Sequence, residues 1–197
     1  MRQYREEWSG IGKDNMQNNK AEIAVIGLGN AGLPLAAVIA DCGFEVIGVD
    51  VKEDRCRAIN RGDNPIPEEA GLEELLKRHG GKRLVATPHF EEAAGCRTFI
   101  VIVPVFVDSS YNPDFSIMQS ALKSLGSILK KGDLVVLETT FPPRTTEEMV
   151  QKLLCQASGL LPGDFYLAYS PERIMTGCSI SRLREFPKVI GGRDEES

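Results

Sequence analysis

Residues 22–50 read Glu-Ile-Ala-Val-Ile-Gly27-Leu-Gly29-Asn-Ala-Gly32-Leu-Pro-Leu-Ala-Ala-Val-Ile-Ala-Asp-Cys-Gly-Phe-Glu-Val-Ile-Gly-Val-Asp50, and this stretch decides the fold. A short apolar run, Ile23 to Ile26, leads into glycines at G-x-G-x-x-G spacing. Leu33 to Cys42 is rich in Ala, Leu and Ile, as a buried helix is. A second apolar run, Val46 to Val49, stops at Asp50, eighteen residues after Gly32. Strand, glycine turn, helix, strand and acid in that order are the context that gives an otherwise weak glycine motif its meaning. Gly27 permits the tight strand-to-helix turn, Gly29 has no Cβ to hold a pyrophosphate off the backbone, and Gly32 lets helix and strand approach closely. The pyrophosphate is expected on the unpaired N–H groups of the helix N-terminus, where the dipole favours an anion. Asp50 is expected to accept hydrogen bonds from the adenosine ribose and to repel a 2′-phosphate. The reading is therefore NAD rather than NADP.

Working outward, the 197 residues suffice for one domain with a sizeable core and an appendage. A net charge of −5 gives no electrostatic reason to expect nucleic acid or an anionic membrane surface. No apolar run has the length of a membrane span, and the N-terminus lacks a signal-peptide core. The cysteines, Cys42, Cys56, Cys96, Cys155 and Cys178, are odd in number and form no C-x-x-C pair, so they read as reduced thiols of a cytoplasmic protein. With His79 and His89 the only histidines, no metal site is expected.

Residues 1–19 are polar and without periodicity, and read as a mobile tail in which Trp8 is the exception. Residues 20–197 read as one dinucleotide-binding domain. After Asp50 the pattern predicts a helix over Lys52 to Asn60, with Arg55 able to point back at the ribose edge. A turn follows at Arg61 to Pro65, and Glu69 to Leu76 opens a helix ended by Gly80-Gly81. Leu84 to Thr87 reads as a strand, and Pro88 to Ala94 as a short helix. The β-branched run Thr98 to Val103 reads as a strand buried on both faces, stopped by Pro104. Asp108 to Pro113 is turn-rich, Asp114 to Leu129 helical, Leu134 to Leu137 a strand, and Pro142 to Ala157 a helix. Asp164 to Tyr169 is a further strand, Ser181 to Glu185 a short helix, and Lys188 to Ile190 a last strand. Strands alternating with helices define an α/β class, a doubly wound parallel sheet of Rossmann type.

In such sheets ligands sit outside the carboxyl ends of the strands, so polar residues just past those ends are the ones to weigh. Thr139 and Thr140 either cap the next helix or, for Thr140, hold a water or a nicotinamide-side group. Glu172 is either a surface acid paired with Arg173 or a general base that positions water. Cys178 has no histidine or basic cluster to lower its pKa and is not read as a nucleophile.

Several motifs now stand in order: Gly27-Leu-Gly-Asn-Ala-Gly-Leu-Pro34, Gly48-Val-Asp50, Glu69-Ala-Gly-Leu-Glu-Glu-Leu-Leu76, Val103-Pro104, Lys131-Gly-Asp-Leu-Val-Val-Leu-Glu-Thr-Thr140, Ser170-Pro-Glu-Arg173 and Lys188-Val-Ile-Gly-Gly192. Together they resemble the nucleotide-sugar 6-dehydrogenase family over Ala21 to Gly192. The Pro-Glu-Arg-Ile-Met-x-Gly form looks most like its N-acetylhexosamine branch. The resemblance implies oxidation of a sugar C6 alcohol to the aldehyde and then, through a cysteine thioester, to the carboxylate, with two NAD reduced. UDP-N-acetyl-D-mannosamine is the first substrate it suggests, with UDP-glucose and the UDP-N-acetyl derivatives of glucosamine and galactosamine as alternatives. By resemblance Asn30, Ala31, Asp50, Arg55, Val105 and Thr140 line the NAD site, Arg173 and Ile174 touch substrate, and Glu172 with Thr140 handles the hydrolytic water. Asn30 stands where the family usually has an aromatic, Val105 where it has threonine, and Thr176 where the UDP-glucose branch has a second glutamate. The resemblance also implies a central helix and a second α/β domain bearing a catalytic lysine, an asparagine, the nucleophilic cysteine and most sugar contacts; none of these motifs is in the sequence. The expectation is a chain that binds NAD without turnover, in an enzyme that is a homodimer or larger. A two-electron β-hydroxyacid dehydrogenase and a stand-alone NAD-sensing module remain as competing readings.

Overall fold

The computed structural model describes residues 21–173, 177, 179–183, 185 and 187–197. The expected tail, Ile174, Thr176 and Cys178 lie outside the described residues. Strands β1 (Ile23–Ile26), β2 (Val46–Val49), β3 (Leu84–Thr87), β4 (Thr98–Val101), β7 (Leu134–Leu137), β8 (Tyr166–Tyr169) and β9 (Gly191–Gly192) form one sheet in the order β3-β2-β1-β4-β7-β8-β9. The pairs from β3 to β8 are parallel, with Ile23 opposite Val46 on one side and Thr98 on the other. The order reverses between β1 and β4, which places the topological switch, and the crevice that accompanies it, at the end of β1.

Alternation along the strands divides the core into two layers. Ala24 and Ile26 face one cluster with Phe99, Val101, Val135 and Leu137. Val25 faces the other, with Leu84 and Ala86. Above that second face, α1 (Gly32–Asp41) buries Leu33, Ala36, Ala37 and Ala40, the i, i+3, i+4, i+7 stripe of a helix laid on a sheet. Helices α2 (Glu53–Arg61) and α3 (Leu72–His79) complete this layer with Cys56, Ile59, Leu72, Leu75 and Leu76. The opposite layer holds α4 (Ser116–Gly126), with Met118, Leu122 and Leu125, and α5 (Gln151–Ser158), with Leu154. A Cβ on Gly126 would lie 2.4 Å from Ala157 Cβ, so the α4–α5 crossing depends on that glycine.

Several local expectations are corrected. Of Thr98–Val103 only the first four residues join the ladder, although Ile102 still donates its N–H to Ile26 O at 2.9 Å. The segment around Asp108 is the turn of a small antiparallel hairpin, β5 (Phe106–Val107) with β6 (Pro113–Asp114), closed by Asp108 accepting from Ser110 N and Asn112 N. The helix expected from Pro142 begins at Thr146 with one π-turn, Thr146–Val150, that runs into α5. Pro142 and Pro143 lack N–H groups, and Pro142 O takes both the N–H and the hydroxyl of Thr145.

A further correction concerns the last strand. It is Gly191–Gly192 rather than Lys188–Ile190, and it runs antiparallel to β8, with Tyr169 opposite Gly191. The sheet is therefore parallel with an antiparallel edge. A short helix, α6 (Ser179–Arg182), precedes it, earlier than the expected Ser181–Glu185.

Candidate cofactor and catalytic site

The glycine turn is built by three different constraints. Gly27 has φ +98°, and a Cβ there would stand 2.7 Å from Ile102 O of the neighbouring chain path. A Cβ on Gly32 would stand 1.9 Å from Gly27 O, so the first residue of α1 must be glycine for the helix to start where it does. A Cβ on Gly29 would meet nothing within 4 Å. No packing among the described residues requires a glycine at Gly29, and the space beside it is open to a ligand. The backbone N–H groups of Gly29, Asn30, Ala31 and Gly32 make no hydrogen bond among the described residues, and α1 has no side-chain cap. Four open donors around a bare backbone fit an anionic pyrophosphate.

Asp50, at the end of β2, is 8% exposed and already engaged. Its Oδ2 accepts from Leu28 N at 2.9 Å and from Arg55 Nη1 at 3.0 Å; its Oδ1 accepts from Lys52 N at 2.9 Å. A carboxylate offers about four lone-pair sites, so capacity is left for a ribose hydroxyl. Arg55 does point back from the first turn of α2, and it does so to pair with Asp50. Gly48 supports the same corner: a Cβ there would lie 2.7 Å from Leu28 Cδ1. The role of Gly48 in Gly-Val-Asp is packing on Leu28, which spacing alone does not reveal.

The other half of the site lies past β4, β7 and β8. Val105 is half-buried against the core, and its side chain offers no hydrogen bond. Thr139 Oγ1 donates to Val103 O at 2.5 Å and fastens the β4 and β7 ends together. Thr140 is exposed, and its hydroxyl has no partner among the described residues. Neither threonine caps a helix, because the helix starts beyond them with Thr145 as N-cap. Thr140 is the residue of the pair left open to a ligand.

Glu172 and Arg173 follow β8. Glu172 N donates to Glu138 O at 3.0 Å, which carries the β7–β8 pairing past the ladder. Its Oε1 accepts the Arg173 N–H at 2.6 Å, and its Oε2 pairs with Lys188 Nζ at 3.1 Å. Among the described residues the cation paired with this acid is Lys188, and Arg173 contributes its backbone N–H. Lys188 Nζ also meets Glu138 Oε2 at 2.8 Å. Burial pushes the Glu138 carboxyl up from its ordinary value, against the pull of Lys188 and with help from the Glu172 charge. Burial would lower the Lys188 ammonium, but hydrogen bonds and charge from the two carboxylates prevail and hold it above the usual lysine range.

Glu69 is a further residue whose place spacing does not reveal. It is 1% exposed, and its carboxylate accepts from Gly177 N, Ser179 Oγ and Ile180 N at 2.8, 3.0 and 3.0 Å. It ties the chain after β8 to the loop before α3. The only sequence hint is an acid beside Ala-Gly where the helix has not yet begun.

Open amides at the switch point, an acid at the end of β2 and open polar groups past the neighbouring strands define a dinucleotide-binding Rossmann domain. The chain belongs to the UDP-glucose/GDP-mannose dehydrogenase family, whose NAD binding domain it matches over residues 21–197. It is 37% identical over 179 residues to the UDP-N-acetyl-D-mannosamine dehydrogenase of Pyrococcus horikoshii, covering 89% of this chain and 42% of that protein. Among solved structures it is similar to the NDP-N-acetyl-D-galactosaminuronic acid dehydrogenase of Methanosarcina mazei, with TM-score 0.83 and 34% identity over 91% of this chain and 40% of that one. The GDP-mannose dehydrogenase of Pseudomonas aeruginosa gives TM-score 0.82 and 29% identity, covering 89% and 42%. The chain thus spans about two fifths of the length of these relatives. No helix among the described residues is long and apolar enough to cross a membrane.

Proposed function

We propose that this chain is the cofactor-binding part of a nucleotide-sugar 6-dehydrogenase that acts on a UDP-N-acetylhexosamine, with UDP-N-acetyl-D-mannosamine the first substrate to test. The observation that carries the reading is a pair of features past the strand ends that have no partner among the described residues: the amides around bare Gly29, and the Thr140 hydroxyl. The name of the P. horikoshii relative supports the choice of sugar. Bound NAD supplies the hydride acceptor. Overall, an alcohol, one water and two NAD⁺ give a carboxylate, two NADH and three protons.

This chain's residues have separate tasks in that reaction. Gly29, Asn30, Ala31 and Gly32 bind the pyrophosphate through N–H groups, and Asp50, steadied by Arg55, holds the ribose. Gly27 shapes the turn, and Val105 gives an apolar wall beside Pro104. Thr140 orients a water and Glu172 takes its proton, while Arg173 and Ile174 reach the sugar nucleotide. The covalent step belongs to sequence corresponding to the relatives' remaining length. The full enzyme is placed in the cytoplasm, as a homodimer or larger assembly, using a UDP-sugar and no nucleic acid, metal or membrane.

Calorimetric titration of this chain with NAD⁺, NADP⁺ and UDP-N-acetyl-D-mannosamine tests the reading. NAD⁺ binding at least about tenfold tighter than NADP⁺, or about 1.4 kcal/mol, with no NADH formed, is the expected result. No NAD⁺ binding overturns the cofactor assignment; turnover overturns the division of labour.

A further inference from the structure

Lys188 reaches the ligand end of the sheet because β9 is antiparallel. In a parallel last strand, a residue just before the strand lies at the amino end, away from Thr140 and Glu172. In an antiparallel one it lies beside the residues that follow β8. The pairing of Tyr169 with Gly191 fixes this, and Lys188 Nζ ends 2.8 Å from Glu138 Oε2 and 3.1 Å from Glu172 Oε2.

The three side chains are partly withdrawn from water: Glu138 is 8% exposed at its side chain, Glu172 15% and Lys188 29%. Ion pairs on open surface are held loosely and screened by salt, but such groups are screened much less. The backbone adds rigidity, since Glu172 N is bonded to Glu138 O and Arg173 N to Glu172 Oε1. Among the described residues two carboxylates share one ammonium, so these three side chains carry a net charge of −1 when all are ionised. A proton arriving on Glu172 brings that charge to zero and relieves the repulsion from Glu138. A base beside a second, deeper acid is thereby primed to accept a proton, while the ammonium keeps it ionised beforehand.

We infer that Lys188 is a positioning residue: anchored by the buried Glu138, its ammonium holds Glu172 in place and in its charged form for the water-handling step. The inference rests on the role proposed above for Glu172. Glu138 is then the anchor rather than a second base, and Arg173 remains available to substrate.

The test is a carboxyl-carbon NMR titration of Glu172 in this chain, with glutamate labelled at Cδ, in wild type, Lys188→Met, Lys188→Arg and Glu138→Gln. Loss of the ammonium in Lys188→Met raises the Glu172 midpoint by about one unit or more, and Lys188→Arg returns it most of the way. Glu138→Gln, which removes a like charge and frees the ammonium for Glu172, moves the midpoint down. A purely structural role for Lys188 does not produce shifts of opposite sign. An unmoved midpoint in Lys188→Met, or an upward shift in Glu138→Gln, overturns the inference; if Lys188→Met does not fold, the Glu138→Gln shift decides alone. NAD⁺ titrations run on the same samples keep the two readings apart. Shifts as stated without NAD⁺ binding sink the proposed function, and NAD⁺ binding without the shifts sinks only this inference.

Discussion

Leu28 donates its backbone N–H to Asp50 Oδ2 at 2.9 Å. The acid at the end of β2 therefore holds the glycine-rich turn that follows β1, a neighbouring strand, in addition to the ribose-binding role proposed for it. Lys52 N and Arg55 draw on the same carboxylate, so turn, strand end and α2 share one anchor.

Asp50→Ala is expected to lower stability as well as cofactor affinity. It leaves the buried Leu28 N–H without an acceptor and strips Arg55 of its partner, a loss of about 1–3 kcal/mol. Urea unfolding of the ligand-free protein measures the first effect and NAD⁺ calorimetry the second. An affinity loss with unchanged stability would show that the Leu28 bond is not an anchor.

The glycines separate folding from binding. Gly29→Ala meets no atom among the described residues and should leave the stability of the free chain within about 0.5 kcal/mol of wild type, while NAD⁺ affinity falls at least about tenfold. Gly32→Ala, whose Cβ would collide with Gly27 O, should destabilise the free chain by about 3 kcal/mol. Thermal melts with and without NAD⁺ distinguish the two outcomes.

Glu69→Ala removes the acceptor for Gly177 N, Ser179 Oγ and Ile180 N. A cost of about 3 kcal/mol is expected, because three buried or part-buried donors lose the acceptor they have among the described residues. Hydrogen exchange should quicken at Gly177 and in α6 and stay unchanged at β1. Uniform deprotection would instead make Glu69 a general core residue.

Glu138 predicts a pH slope. Its folded-state carboxyl is raised by burial, so folding favours the protonated form. Between the unfolded value, about 4.3, and the raised folded value, the native state binds more protons. This group's contribution to stability therefore falls as pH rises through that window and is level above it. Glu138→Gln removes the slope, so its stability relative to wild type should increase with pH across the window. Urea midpoints at a series of pH values from mildly acidic to neutral check this, and a flat difference refutes it.

Much of the fold was legible because its causes are local. The apolar run Ile23 to Ile26 and the stripe Leu33, Ala36, Ala37, Ala40 state their periodicities within ten residues of each other. Gly27 needs positive φ for a turn encoded by its immediate neighbours. The hairpin around Asp108 was harder to see, because its paired segments are two residues each and little distinguishes them from loop. The helix expected from Pro142 starts later because Arg144 has φ +70°, a left-handed conformation that a right-handed helix cannot run through.

By itself the sequence determined the doubly wound α/β class, the glycine turn and Asp50 at its strand end, since backbone sterics and side-chain alternation act over a few residues. Only tertiary structure decided that Asp50 grips Leu28, that Glu69 reaches 108 residues to Gly177, and that Lys188 serves Glu138 and Glu172. Those pairings depend on strand order and on the direction of β9. A two-residue strand of glycine carries no side-chain pattern from which its direction can be read.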